Sequence, residues 1–299
     1  MTTNSEKGIA VVTGGAGFVG SHLCERLVQE GYHVISLDNY FTGTKENHVE
    51  GVEYREGHTK DIAQHIPETP TIIYHLGEYS RVAPSLKEPQ KVFDLNAEGT
   101  FGVLEFWRTH QCKLVYAGSS TRFADKREDS VAGHNRSPYS FFKYSNSELV
   151  KNYGDCWYDL PYSIAYFYNV YGPRERAGQF TGSYGTIVET FKQHYLNGES
   201  GTINGTGEQT RAFTHVLDTV NALFLIGEKG TNDEYGISAK EVHSLLDLAH
   251  MFGLEIEFAP ATKSTRSSGA EDTTKLELLG WKQQHTLKEY VEKIKQSQK

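Results

Sequence analysis

Cysteine is scarce: Cys24, Cys112 and Cys156 are the only three in 299 residues, and they are scattered. That excludes a disulfide-stapled scaffold and a cysteine-ligated zinc site, and it fits reduced thiols in a cytoplasmic protein. Long apolar runs are also missing. The best of them, Ala222-Leu-Phe-Leu-Ile226, is stopped by Gly227, far short of the ~20 residues that span a bilayer. Near the start, Lys7 precedes Gly8-Ile-Ala-Val-Val12, but glycines follow where a secretory signal would stay apolar, so the run reads as a strand. Basic charge is in deficit, with 30 Lys and Arg against 38 Asp and Glu, a net −8. No broad positive field is left for nucleic acid or an anionic membrane. Thirteen histidines are present, yet no H-x-x-x-H or H-E-x-x-H sets two on one helix face, so no metal is expected. There is no internal repeat and no low-complexity tract.

What remains is a globular composition, 37% hydrophobic, with 18 Tyr and 15 Phe spread along the chain. The length allows one large domain or two, and a core that needs no staples. Short apolar runs alternate with longer amphipathic ones. Strands are expected at 9–12, 33–37, 52–55, 71–76, 113–117 and 162–167, and helices at 18–30, 92–109 and 139–152. This alternation builds a parallel sheet covered on both faces, an α/β fold of the Rossmann-type doubly wound kind. After about residue 170 the texture becomes rich in glycine and threonine, with helical stretches at 187–197, 217–227 and 242–252. We therefore expect a larger domain over 1–170 and a smaller C-terminal lobe over 171–299, with some interleaving of the chain.

Thr13-Gly-Gly-Ala-Gly-Phe-Val-Gly20 lies between the first strand and the first helix. Gly15, Gly17 and Gly20 fit G-x-G-x-x-G, while Gly14, Gly17 and Gly20 fit G-x-x-G-x-x-G. Such a turn lets backbone approach a pyrophosphate and aims the free N–H groups of a helix at it. A glycine-rich turn alone is weak evidence, but a second strand ends at Asp38, 18 residues beyond Gly20. An acid there accepts from both ribose hydroxyls of an adenosine and repels a 2′-phosphate, so NAD is expected over NADP.

Tyr139 and Lys143 stand four residues apart at the start of a helix, with Pro138 in its first turn and Ser137 as a cap. A free phenol titrates near pH 10. An ammonium and a nicotinamide ring beside it favour phenolate and make a usable base. Chance pairs of this kind are common. This one follows a strand ending in Gly118-Ser-Ser-Thr121, at the carboxyl edge of the sheet where a substrate sits.

Taken in order, the glycine turn, Asp38-Asn39, Asp61-Ile62, His75-Leu76, Ser119-Ser-Thr121, Tyr139-x-x-x-Lys143, Asn169-Val-Tyr-Gly-Pro-Arg174 and Arg211-Ala-Phe-Thr-His-Val216 carry a family resemblance. The chain resembles an extended short-chain dehydrogenase/reductase of the nucleotide-sugar epimerase/dehydratase branch, from about Gly8 to Trp281. The resemblance implies a tightly bound NAD held by Gly14, Gly17, Phe18, Val19, Gly20, Asp38, Asn39, Asp61, Ile62 and Leu76, with Tyr139 and Lys143 at its nicotinamide end. It implies Tyr139 as the base, Lys143 on the nicotinamide ribose, and Ser119 on the reacting hydroxyl, with Thr121 as a second candidate. A nucleotide-diphosphate sugar, a UDP-sugar foremost, would be held by Asn169 and Arg211, with Arg266 as a looser match. Tyr79 falls next to the sugar. A homodimer through the helices at 92–109 and 139–152 is likewise implied, and His75 would shape the cofactor loop.

Ser120 and Thr121 stand where a dehydratase of this branch carries an Asp-Glu pair, and a UDP-glucuronate decarboxylase also expects a Glu there. Neither hydroxyl does acid–base work at neutral pH. This favours 4-epimerisation through a transient 4-keto sugar. Dehydratase and decarboxylase remain alternatives, as do a non-catalytic NAD or sugar-nucleotide binder and a reductase exchanging free cofactor. Glu78 and Tyr79 replace small residues, and Glu78 reads either as a relocated acid or base or as a solvated loop carboxylate.

Overall fold

A computed structural model describes residues 7–121, 137–176, 185–261 and 272–298. A seven-stranded parallel sheet runs through the larger lobe. Its strands are β1 (Ile9–Thr13), β2 (His33–Asp38), β3 (Val52–Glu56), β4 (Ile72–His75), β5 (Lys113–Ser119), β6 (Tyr162–Phe167) and β7 (Asp233–Ile237). They stand in the order β7-β6-β5-β4-β1-β2-β3. The direction of winding reverses between β1 and β4, and a crevice opens at the carboxyl ends there.

Alternate residues of each strand serve opposite faces. Ala10 and Val12 of β1 pack with Leu23 and Leu27 of α1 (Phe18–Gln29), while Val11 points the other way, into the layer holding Val103 and Trp107 of α2 (Gly99–His110). The helix that becomes α2 starts at Pro89 and passes through a π-helical stretch, Phe93–Glu98. On the same face lies α3 (Pro138–Lys151). The smaller lobe gathers α4 (Ile187–Asn197), α6 (Leu245–Phe252) and α7 (Leu287–Gln296) around Phe191, Leu248, Phe252 and Val291. Between α4 and α6 the chain forms α5 (Val216–Lys229).

The chain passes back and forth between the lobes: α5 packs on α1, β7 extends the large sheet beside β6, and Leu276 and Trp281 join the same core. One expectation needs correction, because the stretch 242–252 is not one helix. Val242–Ser244 pairs antiparallel with Thr210–Ala212, and Ser244 then caps α6 reciprocally with Asp247. No helix among the described residues is long and apolar enough to cross a membrane.

Candidate active site

The crevice holds a cavity of about 410 Å³, walled by the turn after β1, the ends of β2, β4 and β5, and the start of α3. Gly14 has φ +74°, a left-handed conformation open to glycine, and a Cβ on Gly20 would lie 2.0 Å from the Gly14 carbonyl oxygen. No side chain caps the start of α1, so its first N–H groups face the cavity side unpaired by any cap. Gly14, Gly17, Phe18, Val19, Gly20, Asp38, Asn39 and Leu76 all line the cavity. Asp38 Oδ2 accepts from the Ala16 N–H at 2.9 Å and Oδ1 from the Tyr40 N–H at 2.8 Å. Burial pushes its carboxyl up, against those two N–H bonds. Asp61 and Ile62 are not brought to this wall. Ile62 is spent on the core below the sheet, and Gly57 and Thr59 line the cavity at that end instead.

At the other end Ser119, Thr121, Tyr139 and Lys143 come together. Ser119 closes β5, and its Oγ accepts from the Thr121 hydroxyl at 3.1 Å. Ser137 caps α3 by accepting from the Ser140 N–H at 3.1 Å, and Pro138 opens the helix. Tyr139 and Lys143 therefore share its cavity-facing side, as their spacing predicts. The Lys143 ammonium donates to the Ala117 carbonyl at 2.6 Å and to Glu78 Oε2. Glu78 is not a solvated loop carboxylate: its side chain is fully buried and each oxygen is engaged. Burial disfavours its charge, but the Lys143 ammonium and hydrogen bonds from Lys143 and Thr100 outweigh it and hold the carboxyl below the usual range. His75 is bonded to Thr13 Oγ1 at 2.7 Å and Thr100 Oγ1 at 3.1 Å, and burial pushes its imidazole down to about 4.

Of the expected substrate ligands, Asn169 lines the cavity, its Nδ2 donating to the Ala212 carbonyl at 2.9 Å. Arg211 does not line it. Its strand pairs with Val242–Ser244 in the smaller lobe, and Nη1 donates to the Thr210 carbonyl at 2.7 Å. Tyr79 does not line the cavity; it packs with Val92, Leu95, Tyr139 and Phe41, and its hydroxyl donates to Glu88 Oε2 at 2.7 Å. Arg266 lies outside the described residues. Among the described residues no group of His, Cys, Asp and Glu is arranged to hold a metal ion.

The model of the NAD dependent epimerase/dehydratase family matches residues 10–238. The chain belongs to this family. A putative UDP-glucose 4-epimerase of Methanocaldococcus jannaschii is 30% identical, over 95% of this chain and 96% of that protein. UDP-glucuronic acid decarboxylase 1 of Xenopus tropicalis is 29% identical over 95% of this chain and 70% of that one. Among solved structures, UDP-glucose 4-epimerase of Thermotoga maritima with UDP-glucose superposes with TM-score 0.87 at 28% identity, covering 97% of this chain and 100% of that one. UDP-glucose 4-epimerase of Thermus thermophilus in complex with NAD gives 0.82 at 25%, covering 95% and 96%.

As in the family, NAD is the cofactor, and the residues present fit it. The glycine cradle would be filled by any Cβ on Gly20, and Asp38 keeps lone pairs for ribose hydroxyls. Arg174, at the end of the Asn169-Val-Tyr-Gly-Pro-Arg174 motif, adds a further feature. Its Nη2 donates to Glu25 at 2.7 Å, and its Nη1 is buried with no partner among the described residues, on a guanidinium lining the cavity. Arg81, Glu175 and Arg176 line the same cavity. The Asn146 contacts behind Glu78 were missed, although Asn146 lies seven residues after Tyr139, on the same helical face.

Proposed function

We propose that this chain epimerises C4 of a nucleotide-diphosphate sugar, a UDP-hexose foremost, through a transient 4-keto sugar. The observation that carries the reading is the state of the cavity's carboxylates. Glu78 is saturated by buried donors, Asp38 belongs to the ribose end, Glu175 is engaged by the Thr186 N–H and hydroxyl, and Ser120 and Thr121 bring no acid to the reacting end. That environment suits a ketone that turns over and is reduced again, rather than removal of water. NAD, held by the glycine cradle and Asp38, would supply reversible hydride chemistry at this end of the cavity. Tyr139 takes the proton of the C4 hydroxyl, and Ser119, held by Thr121, hydrogen-bonds the same oxygen. Lys143 has two of its three N–H donors on protein, and the third serves the nicotinamide ribose. Asn169, Arg81 and Arg176 supply donors for the diphosphate.

Decarboxylation of a nucleotide uronate is a second reading, favoured by Glu175. Burial pushes this carboxyl up to about 7, so at neutral pH it carries a proton part of the time. Incubation with a panel of UDP-sugars in deuterated water, followed by NMR, separates the two. The C4 epimer without deuterium is expected. A pentose with deuterium at C5, or loss of the C6 hydroxyl, overturns epimerisation. Tyr139→Phe is expected to lower turnover by roughly 10²–10⁴-fold while NAD stays bound.

A further inference from the structure

We propose that Glu78 is a positioning residue for Lys143, a built-in counter-charge that fixes the ammonium and sets how readily Tyr139 ionises. The inference rests on the reading of Tyr139 as the proton acceptor, and it deepens that reading. Glu78 Oε1 accepts from Thr100 Oγ1 at 2.7 Å, from Asn146 Nδ2 at 2.7 Å and from the Tyr116 hydroxyl at 3.1 Å. Oε2 accepts from the same hydroxyl at 3.0 Å and from Lys143. No lone pair is left for a substrate, so the carboxylate acts through its neighbour. Asn146 is itself fixed by the Asn96 carbonyl of the π-helical stretch at 2.7 Å.

The titratable groups around the pair come from three elements. His75 from β4 is neutral, its imidazole pushed down by burial. Tyr116 from β5 stays a phenol, raised first by burial and then by Glu78. Tyr139 and Lys143 come from α3, and α2 with the π-helical stretch contributes only the uncharged Thr100 and Asn96. The charges in this cluster thus reduce to Glu78 and Lys143, which cancel. The carboxylate holds the ammonium against the Ala117 carbonyl and weakens its pull on a phenolate.

The test is a tyrosinate absorbance titration of the NAD-loaded protein. Subtracting the Tyr139→Phe counterpart of each variant isolates one phenol from the chain's 18 tyrosines. Removing a unit charge from a partly polar interior beside a titrating group moves its midpoint by about one pH unit. Glu78→Gln and Glu78→Ala are expected to lower the Tyr139 midpoint by that amount. Glu78→Asp keeps the charge and is expected to stay near the parent. With a sugar that is turned over, the acidic limb of kcat should move in parallel. An unchanged midpoint in both neutral variants overturns the proposal, as does an Asp variant that shifts as far as Gln. Loss of native circular dichroism and of NAD in both neutral variants also overturns it, because the assigned role is electrostatic at a formed site. The titration needs no substrate, so a failure of the epimerase reading, seen as absence of a C4 product, is distinguishable from a failure here.

Discussion

Arg174 is a guanidinium held by one arm. Its Nη2 is on Glu25, while the buried Nη1 has no partner among the described residues. A buried donor left unpaired costs about 1–3 kcal/mol, and a phosphate oxygen satisfies it with a charge-assisted bond. The backbone is committed as well: φ at Arg174 is +65°, a left-handed conformation rare for a side-chain-bearing residue. We expect Arg174→Ala to weaken NAD binding about 10-fold or more, since hydrogen bonds to charged groups contribute roughly 1.5–3 kcal/mol. Calorimetric titration of NAD into the stripped protein checks this, and an affinity equal to the parent's would show that Nη1 meets no phosphate. Arg174→Lys should rescue little, because a single ammonium cannot hold Glu25 and a phosphate in the same geometry.

The elements that carry the site were legible because their periodicity changes sharply. The four apolar residues of β1 give way to glycines and then to the 3.6-residue pattern of α1, and Ser137-Pro138 announces α3. Tyr139 and Lys143 stood out through helical spacing together with their place after the strand that ends in Gly118-Ser-Ser-Thr121. Less visible was β7, whose Asp233, Glu234 and Gly236 look like loop. It is an edge strand that buries only Tyr235 and Ile237. The burial of Tyr79 was not legible either: its ring stacks on Phe41 at 5.8 Å, a residue 38 positions earlier in the chain. The helices also present what a single chain does not use. Phe93 at 44%, Phe101 at 57% and Phe141 at 48% exposure lie on the helix leading into α2, on α2 itself and on α3. Phe142 joins the first and last, in edge contact with both. Rings this exposed on adjacent helices mark an interaction face, and the homodimer implied by family resemblance would cover them. Phe101→Glu is expected to give a monomer in sedimentation velocity at concentrations where the parent is a dimer. A parent that sediments as a monomer refutes the pairing.

For the molecule as a whole, acid sensitivity turns on buried groups that bridge layers. His75 ties β1 through Thr13 to α2 through Thr100, and it does so neutral, with burial pushing it down to about 4 from the ordinary 6.5. The unfolded chain therefore binds a proton at this position before the folded one does, so stability falls as pH drops from about 6.5 towards 4. At pH 5 this single histidine removes about 2 kcal/mol relative to neutral pH. Glu175 works in the opposite sense. Its folded carboxyl sits near 7 against an ordinary 4.5, so the folded state is the one that takes up a proton first, and acidification over that window stabilises. The two windows overlap, and the parent's profile alone does not separate them. Variants do: urea unfolding at fixed protein and NAD concentration should show His75→Gln losing about 2 kcal/mol less than the parent between pH 7.5 and 5. Glu175→Gln should lose more than the parent over the same interval, because the opposing uptake is gone. Parallel profiles for all three proteins would mean that neither group changes its protonation on folding, and that the link between β1 and α2 through His75 is indifferent to acid.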